Sequence, residues 1–403
     1  MNTFTEQNGR AFMSGLSALV KAIHNDIGTG NEAVLATVVK VEGSAYRRPG
    51  ARMVISQFGT QGAISGGCLE SEVAKTAWWL TESGPVIRAY STAEEDEDGD
   101  VALSFGLGCN GTVHVLFERV SLADNHLLVD TLSQVVDEDV PAVVATVINP
   151  GADTGLSIGQ RLLKVKGEPA VGDFNQPELM PKLMQDLEVT MQGQRSSLHY
   201  YQLGDQQVEV FVEYVRPVPK LVICGAGYDA QPLAKTAKML GWHVSVLDGR
   251  SHFANRQRFM EVDNILVTDV EQPFEYQSLF EGAAVVVMSH SLVQDAYWLQ
   301  AALHSDPVYI GQLGPRDRTE KLLQQIEEQY GLLPALTKLH YPVGLDLGGD
   351  TPESVAIAIL GEITANSYGR NGKSLKFRQD KIHDPDPVIR SQLTKQSLKS
   401  KLG

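Results

Sequence analysis

Phe12, Leu16, Leu19, Val20, Ile23 and Ile27 recur at three- and four-residue spacing, which predicts an amphipathic helix over about residues 8–27. The pattern then changes to two apolar runs, Ala33–Val41 and Arg52–Ser56, separated by the turn-rich Gly43-Ser-Ala-Tyr-Arg-Arg-Pro-Gly50. These read as strands. Ser65-Gly-Gly-Cys-Leu-Glu70 enters a helix that runs to about Leu80, and an acidic stretch, Glu94 to Asp100, reads as a solvated loop. Gly106-Leu-Gly-Cys-Asn-Gly111 leads into a strand over Thr112–Val120. Around Pro217 and Pro219 the character changes. Strands are expected at Lys220–Cys224, Trp242–Leu247, Asn264–Val267, Ala283–Met288 and Val308–Ile310, with helices at Gln231–Leu240 and near Leu292–Leu303. Strands alternating with helices imply a parallel sheet with right-handed crossovers.

The first half also repeats itself. Val34-Leu-Ala-Thr-Val-Val39 matches Val143-Val-Ala-Thr-Val-Ile148 at a displacement of 109, and Gly50-Ala-Arg-Met53 meets Gly159-Gln-Arg-Leu162 at the same displacement. Val115-Leu-Phe-Glu118 resembles Val210-Phe-Val-Glu213. The second copy lacks the Arg47-Arg48-Pro49 turn and the Gly-Gly-Cys loop, so it reads as a structural echo without the chemistry.

Composition narrows the class. At 403 residues, 43% hydrophobic and 21% charged, the chain has room for two or three ordinary domains. Its three cysteines, Cys68, Cys109 and Cys224, cannot form a disulfide framework and read as reduced thiols. No uninterrupted apolar run, Ala283–Met288 included, approaches a bilayer span, and MNTFTEQNGR lacks the features of a signal peptide. A cytoplasmic protein with no membrane partner is expected. A net charge of −15 argues against nucleic acid as a partner. From Asn366 onward nine Lys/Arg face three Asp, a local +6 that leaves −21 on the rest, so residues 369–403 read as a mobile basic tail.

Four groups could carry chemistry. Gly225-Ala-Gly-Tyr-Asp-Ala230 obeys the dinucleotide pattern between a strand and a helix, with Gly225 for the tight turn and Gly227 for close approach of a pyrophosphate. Asp248, 23 residues after Gly225, stands where a ribose-binding acid belongs, although Arg250 complicates selectivity. Arg47, Arg48 and Arg52 around Pro49-Gly50 could hold a phosphate bidentately, or lie in solvent beside acidic partners. Cys68, after Gly66-Gly67 and at a helix start, sits where backbone dipoles favour a thiolate; Cys109 is flanked by Gly108 and Asn110-Gly111. Cys224, inside its strand, reads as core. His290 follows a predicted strand at the rim where open α/β sheets bind ligands, and His290 with Asp346 could serve acid–base chemistry. Thr351-Pro352-Glu353 is a good helix start.

In order along the chain, GSAYRRPGARMVIS (43–56), GAISGGCLE (62–70), LGCNG (107–111), LVICGAGYDAQPLAKTAKMLGWHVSVLDGR (221–250), YIGQLGPRDR (309–318) and YPVGLDLGGDTPESVAIAILGEI (341–363) resemble the XdhC/CoxI family of molybdenum-hydroxylase maturation factors. The resemblance implies an α/β chain with an XdhC-type α+β domain over 1–120 and a Rossmann-like doubly wound parallel-sheet domain over 217–368. The repeat places a degenerate second copy or connecting region between them, over 121–216, where the resemblance finds no match. It implies a maturation factor rather than a catalyst, one that binds molybdenum cofactor (molybdopterin), protects it during sulfuration and delivers it to an apo-molybdenum hydroxylase such as xanthine dehydrogenase. A cysteine desulfurase and a second copy in a homodimer are the further partners it implies. Cys68 is then the leading candidate ligand to molybdenum, and Arg47, Arg48, Gly50, Arg52, Gly66, Gly67, Cys109, Gly225, Gly227, Asp248 and His290 are candidate cofactor contacts. The competing class is an NAD(P)-dependent oxidoreductase using the Gly225 turn and His290; a nucleotide-sensing adaptor is a third.

Overall fold

The computed structural model describes residues 15–67, 69–91, 103–104, 111–121, 126–269, 273–379, 382 and 387–391. Two compact units emerge, one built on Gly15–Pro217 and the other on Val218–Ile382.

The first unit holds two sheets. Helix α1 (Leu16–Gly28) precedes β1 (Ala33–Gly43), β2 (Arg52–Ser56), β3 (Gly59–Gly62), α2 (Glu70–Leu80), β4 (Val86–Ser91), β5 (Leu103–Ser104) and β6 (Gly111–Val120). Helix α3 (His126–Asp137) precedes β7 (Ala142–Asn149), β8 (Arg161–Val165), β9 (Val171–Gly172), α4 (Met180–Gly193), β10 (Ser197–Leu203) and β11 (Gln206–Val215). The first sheet runs β3-β2-β1-β6-β4-β5, and the second runs β9-β8-β7-β11-β10 followed by the C-terminal strand Val388–Ser391. The two paths coincide strand for strand. Even the directions agree: the last pairing is parallel in both, β4 with β5 and β10 with Val388–Ser391, and the others are antiparallel. Residues 121–216, expected as an echo, therefore build a whole second sheet, and part of the basic C-terminal stretch completes its edge.

The apolar runs follow from this arrangement, because each central strand is buried on both faces. Val34, Ala36 and Val38 pack beneath α2 with Val73 and Ala77, while Val143, Ala145 and Val147 pack beneath α4 with Leu183 and Leu187. The alternate residues point the other way. Leu35, Val54 and Val120 meet Val144, Leu163 and Val215 in one core shared by both copies, closed by α1 and α3.

Inside that unit two ion pairs cross between copies. Arg52 of β2 donates to Glu213 of β11 with both terminal nitrogens, Nη1 to Oε1 at 2.7 Å. Arg161 of β8 donates in the same bidentate way to Glu118 of β6, Nη1 to Oε1 at 2.9 Å. Arg161 stands 109 residues after Arg52, and Glu213 is the repeat partner of Glu118, so the bridges are reciprocal, as at a two-fold interface. Burial alone would lower the Arg52 guanidinium, but the Glu213 carboxylate outweighs it and the net shift is upward. Gly50 has a left-handed φ of +95°, and a Cβ there would stand 2.8 Å from Glu213 Oε1. Glycine is needed at this turn to let the carboxylate reach Arg52.

The second unit comprises β12 (Lys220–Cys224), α5 (Ala230–Met239), β13 (His243–Asp248), β14 (Asn264–Val267), β15 (Ala284–Val287), α6 (Leu292–Leu303), β16 (Tyr309–Gln312), α7 (Arg316–Tyr330), β17 (Leu339–His340) and α8 (Pro352–Ser367). Its sheet is parallel throughout in the order β14-β13-β12-β15-β16-β17, the Rossmann order with its switch point between β12 and β15. Thr351 caps α8 by accepting from Ser354 N–H, as its sequence position predicts. Cys224 is buried in the core, which pushes its thiol pKa up and makes it inert. Among the described residues, no helix is long and apolar enough to cross a membrane.

Candidate functional site

In the first copy, three motifs meet at one end of the sheet. Gly43 ends β1 opposite Gly111, which opens β6, and a Cβ on Gly111 would lie 2.1 Å from the Ser44 carbonyl oxygen. This close approach fixes the 44–49 turn against the start of β6. From the turn, Arg47 Nε donates to the Ser65 carbonyl at 3.4 Å, and its guanidinium lies 5.5 Å from the Tyr46 ring centre. The Tyr46 ring in turn stands over Gly66, 3.7–4.0 Å from where a Cβ would be.

The loop that carries Gly66 and Gly67 is braced by a pair that sequence reasoning did not single out. Glu70 Oε1 accepts from the N–H groups of Ile64 (3.2 Å) and Ser65 (2.7 Å), and the Ser65 hydroxyl donates to Glu70 Oε2. That hydroxyl also accepts from Gly67 and Leu69 N–H, both at 3.2 Å. Burial pushes the Glu70 carboxyl up, but the Ser65 hydroxyl and the backbone donors outweigh it, and the net shift is downward. The signal was a serine and a glutamate flanking a glycine loop at a helix start, a variation on the capping box. Gly67 has φ +116° and faces open space. Cys68, Cys109 and the rest of 105–110 lie outside the described residues, as does the acidic stretch 94–100.

Two predicted contacts belong elsewhere. Arg52 is consumed by Glu213, so its guanidinium is an internal bridge and Gly50 serves that bridge rather than a phosphate. Arg47 and Arg48 remain in the motif turn beside the braced loop; Arg47 is exposed and Arg48 half-buried.

At the Rossmann turn Gly225 takes the left-handed conformation that a tight turn needs, and the polar side chains around the turn are partnered with one another. Gly225 has φ +121°, and a Cβ there would come within 2.6 Å of the Ser289 backbone. Asp248, however, has a side chain 0% exposed. It accepts from Ala226 N–H at 2.7 Å, from Arg250 N–H and Nε at 2.9 Å, and from Arg250 Nη2 at 2.8 Å. The acid expected to bind ribose therefore pins the turn from within. Gly227 lies beneath the His290 ring, 3.5 Å from where a Cβ would be, and His290 Nε2 pairs with Asp229 Oδ2 at 3.0 Å. His290 is 56% exposed and is held at φ +61°, a left-handed conformation uncommon outside glycine. Its partner is Asp229 rather than Asp346. Asp229 is the N-cap residue of α5, so a carboxylate lies at the helix end whose free N–H groups favour anions.

The structure also assembles a serine, a histidine and an aspartate that no motif announced. Ser197 Oγ lies 2.8 Å from His199 Nε2, and His199 Nδ1 lies 3.3 Å from Asp186 Oδ2. Asp186 also accepts from Tyr201 at 2.8 Å and from Lys182 at 2.6 Å. All but Lys182 are buried beneath α4, so the group is an internal polar network without access for a substrate. Among the described residues, no cluster of three or more His, Cys, Asp or Glu could hold a metal ion.

With this geometry in hand, comparison with known proteins decides the family. Residues 27–91 match the XdhC and CoxI family, and residues 221–363 match the XdhC Rossmann domain. A Bacillus subtilis (strain 168) protein, named as a probable xanthine dehydrogenase subunit, is 30% identical over 82% of this chain and 92% of its own length. The chain belongs to the XdhC and CoxI family. Another relative, the molybdenum cofactor insertion chaperone PaoD of Escherichia coli (strain K12), is 25% identical over 84% of each chain. A Bacillus halodurans crystal structure described as a xanthine dehydrogenase superposes with a TM-score of 0.67 at 26% identity, covering 87% of this chain and 96% of that one. The XdhC and CoxI match contains the arginine turn and the Ser65–Glu70 loop and ends before the second copy begins. The XdhC Rossmann match runs from β12 into α8.

Proposed function

We propose that this protein carries molybdenum cofactor as cargo and inserts it into a molybdenum hydroxylase such as xanthine dehydrogenase. The observation that carries this reading is the loop edge of the first copy. There the Ser65–Glu70 brace holds a glycine loop that opens to solvent at Gly67, beside the exposed Arg47. The cargo is a phosphate-bearing pterin dithiolene with a metal that favours soft ligands. It asks for cationic donors on one side and a thiolate on the other. Arg47 and Arg48 supply the first, and Cys68, next in sequence to Gly67, supplies the second. Names of relatives support the same reading: one is a cofactor insertion chaperone, another a probable xanthine dehydrogenase subunit. Cys109, two residues before Gly111 in the sequence, is a further candidate contact to the cargo, and sulfuration by a cysteine desulfurase takes place with the cargo shielded by the protein. The protein acts as a homodimer, and it is a carrier rather than a catalyst. The inward Asp248 and the Asp229–His290 pair speak against NAD(P) at the Rossmann turn.

The test is co-purification after expression in a cell that makes the cofactor. Molybdenum and pterin are expected to accompany the wild-type chain, and Cys68→Ala to lose the metal and fail to activate an apo-hydroxylase. A chain that brings down neither metal nor pterin, or a Cys68→Ala variant that activates as well as wild type, would overturn the reading.

A further inference from the structure

The repeat is an internal control for separating residues the fold needs from residues it does not. Gly50 and Gly159 both adopt left-handed φ, and Arg52 and Arg161 both bridge to a glutamate of the other copy. The architecture demands those residues twice. At the displacement of 109, however, Tyr46, Arg47 and Arg48 correspond to Gly155, Leu156 and Ser157. The connection between the same two strands is thus made in the second copy without an aromatic ring and without a cation, on a different backbone path in which Gly155 takes a left-handed φ of +73°, so the strand topology does not by itself require either.

Tyr46 is the less expected of these. Its side chain is 69% exposed, a poor use of an aromatic ring if packing were its purpose. The ring is nonetheless well placed. The ring rests over Gly66, whose missing Cβ lets it lie close to the glycine loop, and the Arg47 guanidinium lies over the ring at 5.5 Å from its centre. Arg47 is itself tied to the Ser65 carbonyl, so ring, cation and braced loop are one connected assembly. A ring held this way and open to solvent is a stacking surface for a flat heterocyclic ring such as a pyrimidinone, with a cation at hand for an attached anion.

We infer that Tyr46 binds the cargo by stacking on its fused pterin ring system, while Arg47 takes the attached phosphate. This deepens the carrier reading and rests on it. It assigns a recognition element for the organic part of the cargo, separate from any thiolate contact with the metal.

The test uses the full-length chain and metal-free molybdopterin as probe, with binding followed by titration calorimetry. Tyr46→Ala is expected to weaken binding about tenfold or more, and Tyr46→Phe to stay within about threefold of wild type, since the ring rather than the hydroxyl does the stacking. Tyr368→Ala, which removes another exposed tyrosine (66%) on the Rossmann unit, controls for loss of surface aromatic area and should leave the affinity unchanged. Added inorganic phosphate should compete with the probe in the wild type. It should displace the remaining probe from Tyr46→Ala at lower concentration. If wild type binds the probe and Tyr46→Ala binds it within twofold, the inference fails and the carrier reading stands. If wild type does not bind the metal-free probe although it co-purifies with molybdenum and pterin, the inference fails and the carrier reading stands; if it co-purifies with neither, the carrier reading fails and takes this inference with it.

Discussion

The two copies of the first unit share a strand order, a core and a reciprocal pair of ion bridges, yet only one carries the motif loops. The difference lies in the connections. Between β4 and β6 the first copy spends residues 92–110, including the second cysteine motif, whereas the second copy turns from β10 into β11 through Gly204-Asp205 alone. Where the first sheet is edged by a strand from its own loop, the second borrows Val388–Ser391 from the far end of the chain. One copy thus keeps the scaffold and the motif loops, the other the scaffold only. A buried interface constrains both partners equally, while a solvent-facing loop is constrained only by what it binds.

This contrast can be broken most severely at the bridges. Glu118→Ala leaves Arg161 buried without its counter-charge, and Glu213→Ala does the same to Arg52, so each should cost about 3–5 kcal/mol in denaturant unfolding. If the copies are equivalent, the two losses should agree within about 1 kcal/mol. The exchanged pair Arg52→Glu with Glu213→Arg should recover part of the loss, and two unequal single-variant losses would show that one bridge is incidental.

The Rossmann unit offers a comparison from outside the repeat. Asp248→Ala removes the acceptor for Ala226 N–H and the partner of Arg250, with an expected cost of about 2–3 kcal/mol. The pH dependence has a definite sign. Burial pushes the Asp248 carboxyl up, but Arg250 and the two backbone donors outweigh it, so its pKa lies below the ordinary value. Its stabilisation is therefore complete above about pH 4, the unfolded value, and disappears as pH falls through the lower folded one. Asp248→Asn should flatten the acid limb of the stability curve below about pH 4. A limb that keeps its slope would mean that other carboxylates carry it. NADH should raise the melting temperature of neither wild type nor variant.

The smallest effect is expected at the borrowed edge. Val388 and Arg390 remain exposed, so the C-terminal strand is held mainly by its backbone. Truncation after Pro387 should cost about 1 kcal/mol, comparable to one net hydrogen bond. It should speed amide exchange along β10 while leaving β4 untouched. Equal exchange in both strands would show that Val388–Ser391 does not serve as the edge.

Much of this was legible in the chain. β2, β12, β14 and α6 fall on the stretches the apolar pattern predicts, and β1 and β6 within two residues of them; α1 begins at Leu16 and ends one residue past the predicted helix, whose residues 8–14 lie outside the described residues. Local periodicity and turn chemistry carry that information. The repeat was visible because both copies need the same buried strands, and the Rossmann order followed from strand–helix alternation. What stayed hidden were side-chain partnerships across long separations. Nothing local to Arg52 announces Glu213, and an arginine beside a glycine turn looks alike whether it awaits a phosphate or a buried carboxylate. Asp248 sits where a ribose acid belongs, and only the direction of its side chain reveals that it serves Ala226 instead. The pairing of His199 with Ser197 and Asp186 is likewise a product of packing, with no spacing to give it away.

The borrowed strand also bears on synthesis. A ribosome delivers β10 well before Val388, with the whole Rossmann unit made in between, so the second sheet waits with one open edge until the last part of the chain emerges. At about 5–20 residues per second that wait lasts on the order of ten seconds or more. During it, the nascent chain offers an unpaired strand to any neighbour on the same polysome.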